Sequence, residues 1–204
     1  MTTAGLWVLL GTGAWRATEP TDAAPTDAAP LDLPGCPAHV DGAPAGLLIR
    51  VEKSAWRLAV YRSGERVVGP DGKGCFPIAL GAAPSGDKQA QGDEHTPEGV
   101  FRVTHKNPNS AFHLSLGLNY PTQRHAQAAY AAGRISAATR DRVIAADQPG
   151  RMPARDTALG GDIYIHGGGT TWPYWTDGCV ALDDVVIEWL YALAEPGTVV
   201  WVLP

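Results

Sequence analysis

The chain has 204 residues, 45% of them hydrophobic and 18% charged, with a formal net charge of −5 at pH 7. This length fits one domain with a hydrophobic core and a shorter extension, and the composition is that of a folded globular protein. Because the net charge is negative and Lys and Arg form no run longer than two residues, the sequence argues against nucleic acid as a partner.

Two segments precede the expected domain. Residues 1–16 contain an apolar stretch that is too short to span a bilayer but resembles the hydrophobic region of an export signal, although no Lys or Arg comes before it. We expect an export segment there, with a disordered or core-packing N-terminus as the alternative. Residues 17–46 repeat Pro-Thr-Asp-Ala-Ala, offer little to bury and are expected to form a flexible linker. The globular domain is expected to span residues 47–204.

The first half of this domain is expected to be β-structure. Apolar and polar residues alternate at 48–52 and again at 56–60, which predicts two strands. Ser63-Gly64 predicts a two-residue hairpin turn into a third strand, and "CFPIALG" (75–81) predicts a fourth strand near an edge, because it contains a proline. The Gly- and Pro-rich loop at 82–98 is long enough to serve a functional site.

Two further strands and a helical segment follow. The sequences "GVFRVTH" (99–105) and "AFHLSLGL" (111–118) predict strands. Residues 122–155 are rich in Ala, Arg and Gln and predict an insertion with helix broken near Gly133, which could act as a lid.

The C-terminal part combines two strands and one helix. In "GGDIYIHG" (160–167) the alternation of a strand puts Tyr164 and His166 on the same face. Residues 183–197 have the apolar spacing and end signals of an amphipathic helix, and residues 198–204 predict a final strand. We therefore predict a mainly β fold, a β-sandwich or barrel with a C-terminal helix and a helical insertion.

The chain has three cysteines, Cys36, Cys75 and Cys179. In an exported protein an odd number suggests one disulfide and one free thiol, and Cys36 with Cys75 is the natural pair if Cys179 is reactive. The alternative, that all three are unpaired, remains open because sequence does not fix the distances between their Cα atoms.

The stretch "HGGGTTWPYWTDGC" carries the clearest chemistry. A thiol becomes a good nucleophile when a base removes its proton, and His166 at the end of one strand with Cys179 at the start of the next predicts such a pair. Gly178 would leave the N–H groups of residues 178 and 179 free to stabilise an oxyanion, and a carbonyl in the run after His166 would fix the imidazole tautomer. The alternative is a structural turn and a buried thiol.

Other chemistries find less support. The six histidines are scattered without ligand spacing, no C-x-x-C is present, and the G-x-S-x-G of serine hydrolases is absent. We therefore expect neither a metal nor a cofactor.

The same residues carry a family resemblance. "YIHGGG" followed by "TDGCVAL" resembles the signature of the YkuD-type L,D-transpeptidases, a His-Gly pair before a Ser/Thr-x-Gly-Cys segment. "LIRVEKSAWRLAVYRSGE" is similar to the family's opening hairpin and "GDKQAQGDEHTPEGVFRV" to its G-D-x-x-T-P-x-G-x-F block, and the C-terminal helix and strand follow in order. The resemblance covers residues 47–204 apart from the insertion, and implies that His166, Gly167 and Cys179 form the catalytic site.

One position departs from this pattern. Most members have Arg two residues after the nucleophile, where this chain has Ala181. Together with "FHLSLGLNYP", the alanine resembles the YafK-like branch, which implies peptidoglycan chemistry that is hydrolytic as well as transpeptidation. The missing guanidinium removes an anchor for a substrate carboxylate.

The resemblance implies a cysteine acyl-transfer enzyme acting on peptidoglycan peptide stems, in the periplasm or secreted and associated with the cell wall. It would be an L,D-transpeptidase, or an L,D-carboxypeptidase or amidase where water resolves the thioester. Gly178 is expected at the oxyanion, and the candidates for substrate contact are Tyr164, His113, Thr176 and Asp177.

Further residues of this region are expected to support the site. Thr96, Pro97 and Gly99 would shape the neighbouring loop, and the aromatics of residues 172–175 would wall the cleft or pack beneath it. A non-catalytic wall-binding module on the same scaffold, and a purely structural β domain, are the alternative functions. The oligomeric state is left open.

Overall fold

The structure is a computed structural model that describes residues 35–204. These residues form eleven strands and three α-helices. The strands are β1 Leu47–Glu52, β2 Arg57–Arg62, β3 Glu65–Arg66, β4 Phe76–Pro77, β5 Leu80–Gly81, β6 Gly99–Ser110, β7 His113–Leu118, β8 Tyr164–His166, β9 Tyr174–Thr176, β10 Val180–Ala181 and β11 Val199–Leu203, and the helices are α1 Gln123–Ala131, α2 Ala137–Ala146 and α3 Asp184–Leu193. The predicted export segment and most of the predicted linker lie outside the described residues.

One mixed sheet dominates the fold, which confirms the mainly β prediction. Its strand order is β10-β8-β7-β6-β11-β1-β2-β3, with β4 also paired to β2, and β5 and β9 form a separate parallel pair. The barrel form of the prediction is wrong. Among the described residues, one isolated bridge between Ala79 and Ala181 links β10 to the segment after β4, and this is too little pairing to close the sheet.

The long strand β6 belongs to both halves of this sheet. Its first residues pair with β11, and from Val103 onward it pairs with β7. Apolar side chains from both halves and from α3 fill a common core. Fully buried members of that core are Ile49, Val60, Phe101, Leu116, Ile165, Ile187 and Leu190. The helix α3 packs against this sheet chiefly on β7, the strand next to β8.

Local sequence signals account for several element ends. Ser63 and Gly64 have φ values of 50° and 87°, the left-handed conformation that a type I′ hairpin requires at both central residues. Gly133, with φ of 68°, separates α1 from α2 as predicted, since glycine adopts this conformation without a steric penalty. The predicted helix after the cysteine is also confirmed as α3.

The segment before β1 packs against the sheet. A disulfide joins Cys36 to Cys75, whose Cα atoms lie 5.5 Å apart, and Cys36 is only 4% exposed. The backbone N–H of Arg66 donates to the carbonyl of Ala38 at 2.9 Å. Of the two readings of the cysteines, the structure therefore shows the one with a disulfide and a free Cys179. The domain boundary at residue 47 stays a prediction.

The helical insertion is tied to the long loop that follows β5. Arg124 of α1 donates to Asp87 of that loop at 2.9 Å, and the backbone N–H of Glu98 donates to the same carboxylate at 2.8 Å. Burial alone would raise the pKa of Asp87, but these hydrogen bonds and one to His125 hold it well below its usual range. The insertion thus braces the loop beside the cavity described below. None of the helices among residues 35–204 has the length and hydrophobicity needed to cross a membrane.

Candidate active site

His166 and Cys179 line one open cavity of about 890 Å³. Four segments build its walls: the loop after β5, the tip of the β6–β7 hairpin, the segment between α2 and β8, and the turn between β9 and β10. These segments contribute Lys88, Phe112, Arg155 and Asp177, and the strands β8 and β9 add Tyr164 and Trp175.

The sheet register explains why the two residues share this cavity. Strands β8 and β10 are parallel, with Ala181 opposite His166, so that Cys179 lies in line with Tyr164. Side chains two residues apart on a strand project from the same face. Cys179 directly precedes β10, so this register puts its side chain on the same face as the imidazole of His166.

The imidazole of His166 is held in one tautomer. Its Nδ1 lies 2.6 Å from the carbonyl oxygen of Gly167, and because a carbonyl can only accept, Nδ1 carries the proton and Nε2 is left with its lone pair. Phe112 stacks on the ring at 4.6 Å between centroids and Trp175 meets it edge-on at 5.4 Å. Only 3% of the residue is exposed, and this burial lowers the pKa of His166, outweighing the opposite effect of the Gly167 carbonyl.

The start of α3 fixes the glycine run that positions this carbonyl. Asp184 accepts the backbone N–H of Gly168 at 2.8 Å, and Asp183 accepts both the N–H and the hydroxyl of Thr170 at 3.0 and 2.9 Å. A side chain at Gly167 would place its Cβ 2.6 Å from the Asp184 carboxylate. The first residues of the helix therefore orient the tautomer-setting carbonyl through the backbone.

The thiol of Cys179 contacts the backbone of Tyr164 and of Asp162. Its sulfur accepts the backbone N–H of Tyr164 at 3.4 Å, and its proton points to the carbonyl of Asp162 at 3.6 Å. Burial raises the pKa of Cys179 to about 11; Asp177 adds to this effect, whereas the Tyr164 amide and Lys88 oppose it. Burial thus favours the neutral forms of both the thiol and the imidazole.

The turn before Cys179 is organised by threonines. Gly178 has φ of 122° and a Cβ there would lie 2.6 Å from the carbonyl of His95, so the position requires glycine. The N–H of Gly178 donates to the hydroxyl of Thr176 at 3.2 Å, and that hydroxyl donates to the carbonyl of Cys179 at 2.9 Å. Thr96 reaches the same carbonyl at 3.4 Å, as a supporting residue would.

This turn distinguishes the two expected oxyanion donors. In the structure the N–H of Gly178 already donates to the Thr176 hydroxyl. The N–H of Cys179 has no acceptor among the described residues and is the amide that remains for an oxyanion.

The predicted contact residues divide into two groups. Tyr164, Thr176 and Asp177 line the cavity. His113 does not: it begins β7 with φ of 69°, and its Nε2 lies 2.8 Å from Glu188 on the exposed side of α3. The hairpin turn at residues 111–112 rotates His113 away and brings Phe112 to the cavity instead.

Several residues of the site were not predicted from the sequence. Phe112 reaches His166 through the hairpin, and Asp162 acts through its backbone carbonyl, so neither has a motif. Asp183 and Asp184 were visible as acidic residues at a helix start, but their partners in the glycine run were not. Of the aromatics between base and nucleophile, Trp175 lines the cavity, whereas Tyr174 packs edge-on against Trp56 at 4.9 Å.

Position 181 is closed to substrate. Ala181 is fully buried, and its backbone exchanges hydrogen bonds with Ala79 at 2.8 and 3.0 Å. The positively charged side chains that line the cavity are those of Lys88 and Arg155. Within residues 35–204 no cluster of three or more His, Cys, Asp or Glu side chains is arranged to hold a metal ion.

Comparison with known proteins agrees with this architecture. The family model of the YkuD L,D-transpeptidase catalytic domain matches residues 47–202. The helical cell shape determining protein Pgp2 from Campylobacter jejuni shares 22% identity and a TM-score of 0.50 over 77% of this chain and 47% of its own. An L,D-transpeptidase (Yku) from Stackebrandtia nassauensis shares 14% identity, with a TM-score of 0.46, over 79% of this chain and 57% of its own.

The chain thus spans about half the length of these solved structures. No curated protein is similar enough to count as a match. The family match extends over most of the chain and includes both the histidine strand and the cysteine turn. The chain therefore belongs to the YkuD family of L,D-transpeptidase catalytic domains.

Proposed function

We propose that the chain is a cysteine acyl-transfer enzyme that acts on the peptide stems of peptidoglycan. One observation carries the proposal: an imidazole with Nδ1 held by the Gly167 carbonyl shares a face and an open cavity with the free thiol of Cys179. Such a base and nucleophile, with the base oriented by a third group, are the requirements of covalent acyl transfer.

In the first step, on substrate binding, the thiol of Cys179 gives up its hydrogen bond to the Asp162 carbonyl and transfers its proton to Nε2 of His166. Hydrogen bonds of this kind are often incomplete without substrate and shorten in the reacting complex. The sulfur attacks the carbonyl carbon of the third stem residue, and the developing oxyanion accepts the N–H of Cys179. The Gly167 carbonyl stabilises the imidazolium through Nδ1.

In the second step the imidazolium returns its proton to the departing amine. The bond between the third residue and the C-terminal D-residue breaks, and a thioester remains on Cys179. An amine acceptor then gives a crosslink, whereas water gives carboxypeptidase or amidase action. In both cases His166 removes a proton from the incoming nucleophile and the free thiol is regenerated.

We further propose a periplasmic or secreted, cell-wall-associated location. The disulfide between Cys36 and Cys75 supports it, because such bonds persist in oxidising compartments. Peptidoglycan stems, the proposed substrates, lie outside the cytoplasm as well.

The test is to incubate the purified protein with muropeptides and to follow the products by mass spectrometry. We expect loss of the terminal D-residue or formation of dimers, with both abolished in Cys179→Ala and in His166→Gln. A matched control is His113→Gln, which changes a histidine outside the cavity and is expected to retain activity. Turnover that survives in Cys179→Ala would reject the assignment.

A second candidate is a non-catalytic module that binds cell-wall peptides. The raised pKa of Cys179 and the engagement of its proton by Asp162 favour it, because both hold the thiol unreactive. This candidate predicts that wild type and Cys179→Ala bind stem peptides with equal affinity and that neither gives any product. Detection of a mass increase on wild-type Cys179 by trapped stem peptide would contradict it.

A further inference from the structure

Two lysines of the cavity region are almost completely buried, and they differ in how their ammonium groups are satisfied. The side chain of Lys53 is 2% exposed, and its ammonium donates to the carbonyls of Gly86 and Thr96 and to the carboxylate of Glu98. An ammonium has three N–H donors, so Lys53 uses all of them within the protein. Lys53 directly follows β1 and has a structural role, which is to hold the loop after β5.

Lys88 is buried to the same extent but has one partner. Its side chain is 3% exposed, and its ammonium donates to Asp93 at 2.7 Å. Two donors of the ammonium therefore remain without an acceptor among the described residues, and the residue lines the cavity that contains Cys179. Buried polar donors are ordinarily matched, so this arrangement calls for an acceptor supplied from the cavity.

The carboxylate of Asp93 does not depend on Lys88 alone. It also accepts the backbone N–H groups of Gln89, Ala90 and His95 at 2.6, 2.9 and 3.2 Å. Three amide donors stabilise the anion even when the ammonium turns toward another acceptor. Asp93 thus holds Lys88 at the cavity wall and leaves two N–H donors of its ammonium for a ligand.

The second cation of the cavity is placed differently. Arg155 pairs with Asp162 at 2.6 Å, and their side chains are 47% and 58% exposed, so solvent screens this pair. The charge of Lys88, by contrast, reaches the reacting sulfur, since it lowers the pKa of Cys179 against the larger effect of burial. The cavity also contains acidic residues, Glu94 and Asp177, so an anionic ligand has few places to bind.

We propose that the ammonium of Lys88 binds a carboxylate of the donor peptide stem close to the bond that Cys179 attacks. The inference rests on the proposed function and assigns its substrate recognition to a residue of the loop after β5. Lys88 would thereby provide the positive charge that is missing at position 181, where this chain has a buried alanine.

The test measures binding in the Cys179→Ala background, where no turnover is needed. Calorimetry would compare a synthetic tetrapeptide stem with versions in which each carboxylate in turn is a carboxamide. Lys88→Met should weaken binding of the unmodified stem about tenfold to hundredfold, the range of one charge-assisted hydrogen bond. For the stem whose recognised carboxylate has been replaced by a carboxamide, the Lys88→Met variant and the Cys179→Ala parent should bind with the same affinity.

Three further variants make the result decisive. Lys88→Met combined with Asp93→Asn removes both charges of the pair and should show the same loss. Lys106→Met is the matched control, because this lysine pairs with Glu195 outside the cavity. Arg155→Gln should keep the preference for the carboxylate.

Equal discrimination between carboxylate and carboxamide in the parent and in the Lys88→Met/Asp93→Asn double variant would overturn the inference. Loss of discrimination in Arg155→Gln alone, or no binding of any stem by the parent, would also overturn it. If wild type gave no product but Lys88-dependent binding persisted, the acyl-transfer function would fail while this inference stood.

Discussion

At the scale of single residues, burial favours the neutral forms of the proposed nucleophile and base. Burial disfavours the charged form of each, raising the pKa of Cys179 to about 11 and lowering that of His166. The Asp162 carbonyl holds the thiol proton and the Gly167 carbonyl holds the imidazole proton. Deprotonation of the sulfur is therefore expected to accompany attack on the substrate and not to precede it.

This arrangement predicts how the free thiol reacts with iodoacetamide. A thiol with a pKa near 11 has about one ten-thousandth of its population as thiolate at pH 7, so labelling should be at least about tenfold slower than for an unhindered free thiol. The rate should increase about tenfold per pH unit up to pH 10. Mass spectrometry of the labelled protein measures it, with Cys179→Ala as the blank. A rate that is already constant above pH 6 would indicate a preformed thiolate–imidazolium pair.

Phe112 predicts a shift in the pH dependence of activity. Because burial lowers the pKa of His166, the acid side of the pH profile for kcat/KM should lie below the ordinary imidazole pKa of about 6.5. Phe112→Ala uncovers the ring, so this pKa should rise and the acid limb should move to higher pH, reducing activity at pH 6 more than at pH 8. Activity profiles together with NMR titration of His166 check this. An acid limb that stays in place would show that Phe112 does not desolvate the base.

At the scale of elements, the C-terminal helix acts through the backbone on His166, the proposed base. The carboxylates of Asp183 and Asp184 leave the usual capping position and bind the glycine run instead, which keeps the Gly167 carbonyl against the imidazole. In the proposed mechanism the start of this helix and the glycine run together orient the imidazole, a role that a third catalytic side chain has in other enzymes.

We expect Asp184→Ala to lower kcat about tenfold or more while changing KM little, because the substrate still binds but the imidazole loses its fixed orientation. Steady-state kinetics on a tetrapeptide stem would measure both constants. Glu188→Ala is the matched control: it removes a carboxylate from the same helix, and that carboxylate contacts His113 outside the cavity. A similar loss in both variants would attribute the effect to helix stability and not to the glycine run.

The elements show which parts of the site local patterns could predict. Strand alternation and the cysteine motif predicted a strand that ends at His166 and a strand start at Cys179, because both signals are local. The structure has His166 at the end of β8 and Cys179 directly before β10, but β9 lies between them in sequence and the pairing of β8 with β10 was not predicted. His113 was assigned to the site incorrectly because its direction depends on the conformation of one hairpin turn. Phe112, Asp162 and Lys88 were missed because each reaches the cavity through tertiary contacts that no short motif records.

At the scale of the whole molecule, the sheet depends on pairing between distant strands, which cannot be predicted from local sequence patterns. The strands themselves were predictable, but β1 pairs with β11 at the other end of the chain, and β6 serves two halves of the sheet. Whether such strands close into a barrel is determined by the pairing at the ends, where one bridge between Ala79 and Ala181 is formed. Alternation within each strand carries no information about this closure.

The disulfide predicts a measurable share of the stability. Cys36 and Cys75 are 39 residues apart in sequence, and a crosslink of that span restricts the unfolded chain by about 4 kcal/mol in the loop-entropy description. The double variant Cys36→Ser/Cys75→Ser should therefore unfold at a lower temperature, and wild type with reductant should approach it. Thermal unfolding followed by circular dichroism gives both values. Reductant should leave the double variant unchanged, and equal stability of wild type and variant would contradict the prediction.

The pairing of Cys36 with Cys75 has a practical consequence for following the reaction. Cys179 is the sole sulfhydryl of the three cysteines, so the oxidised protein, denatured without reductant, should give one equivalent in a colorimetric assay. Each chain in which Cys179 forms a thioester would lower the measured number of sulfhydryl groups by one. The sulfhydryl count of a quenched reaction is thus a direct gauge of covalent occupancy, and it needs neither a label nor a substrate analogue.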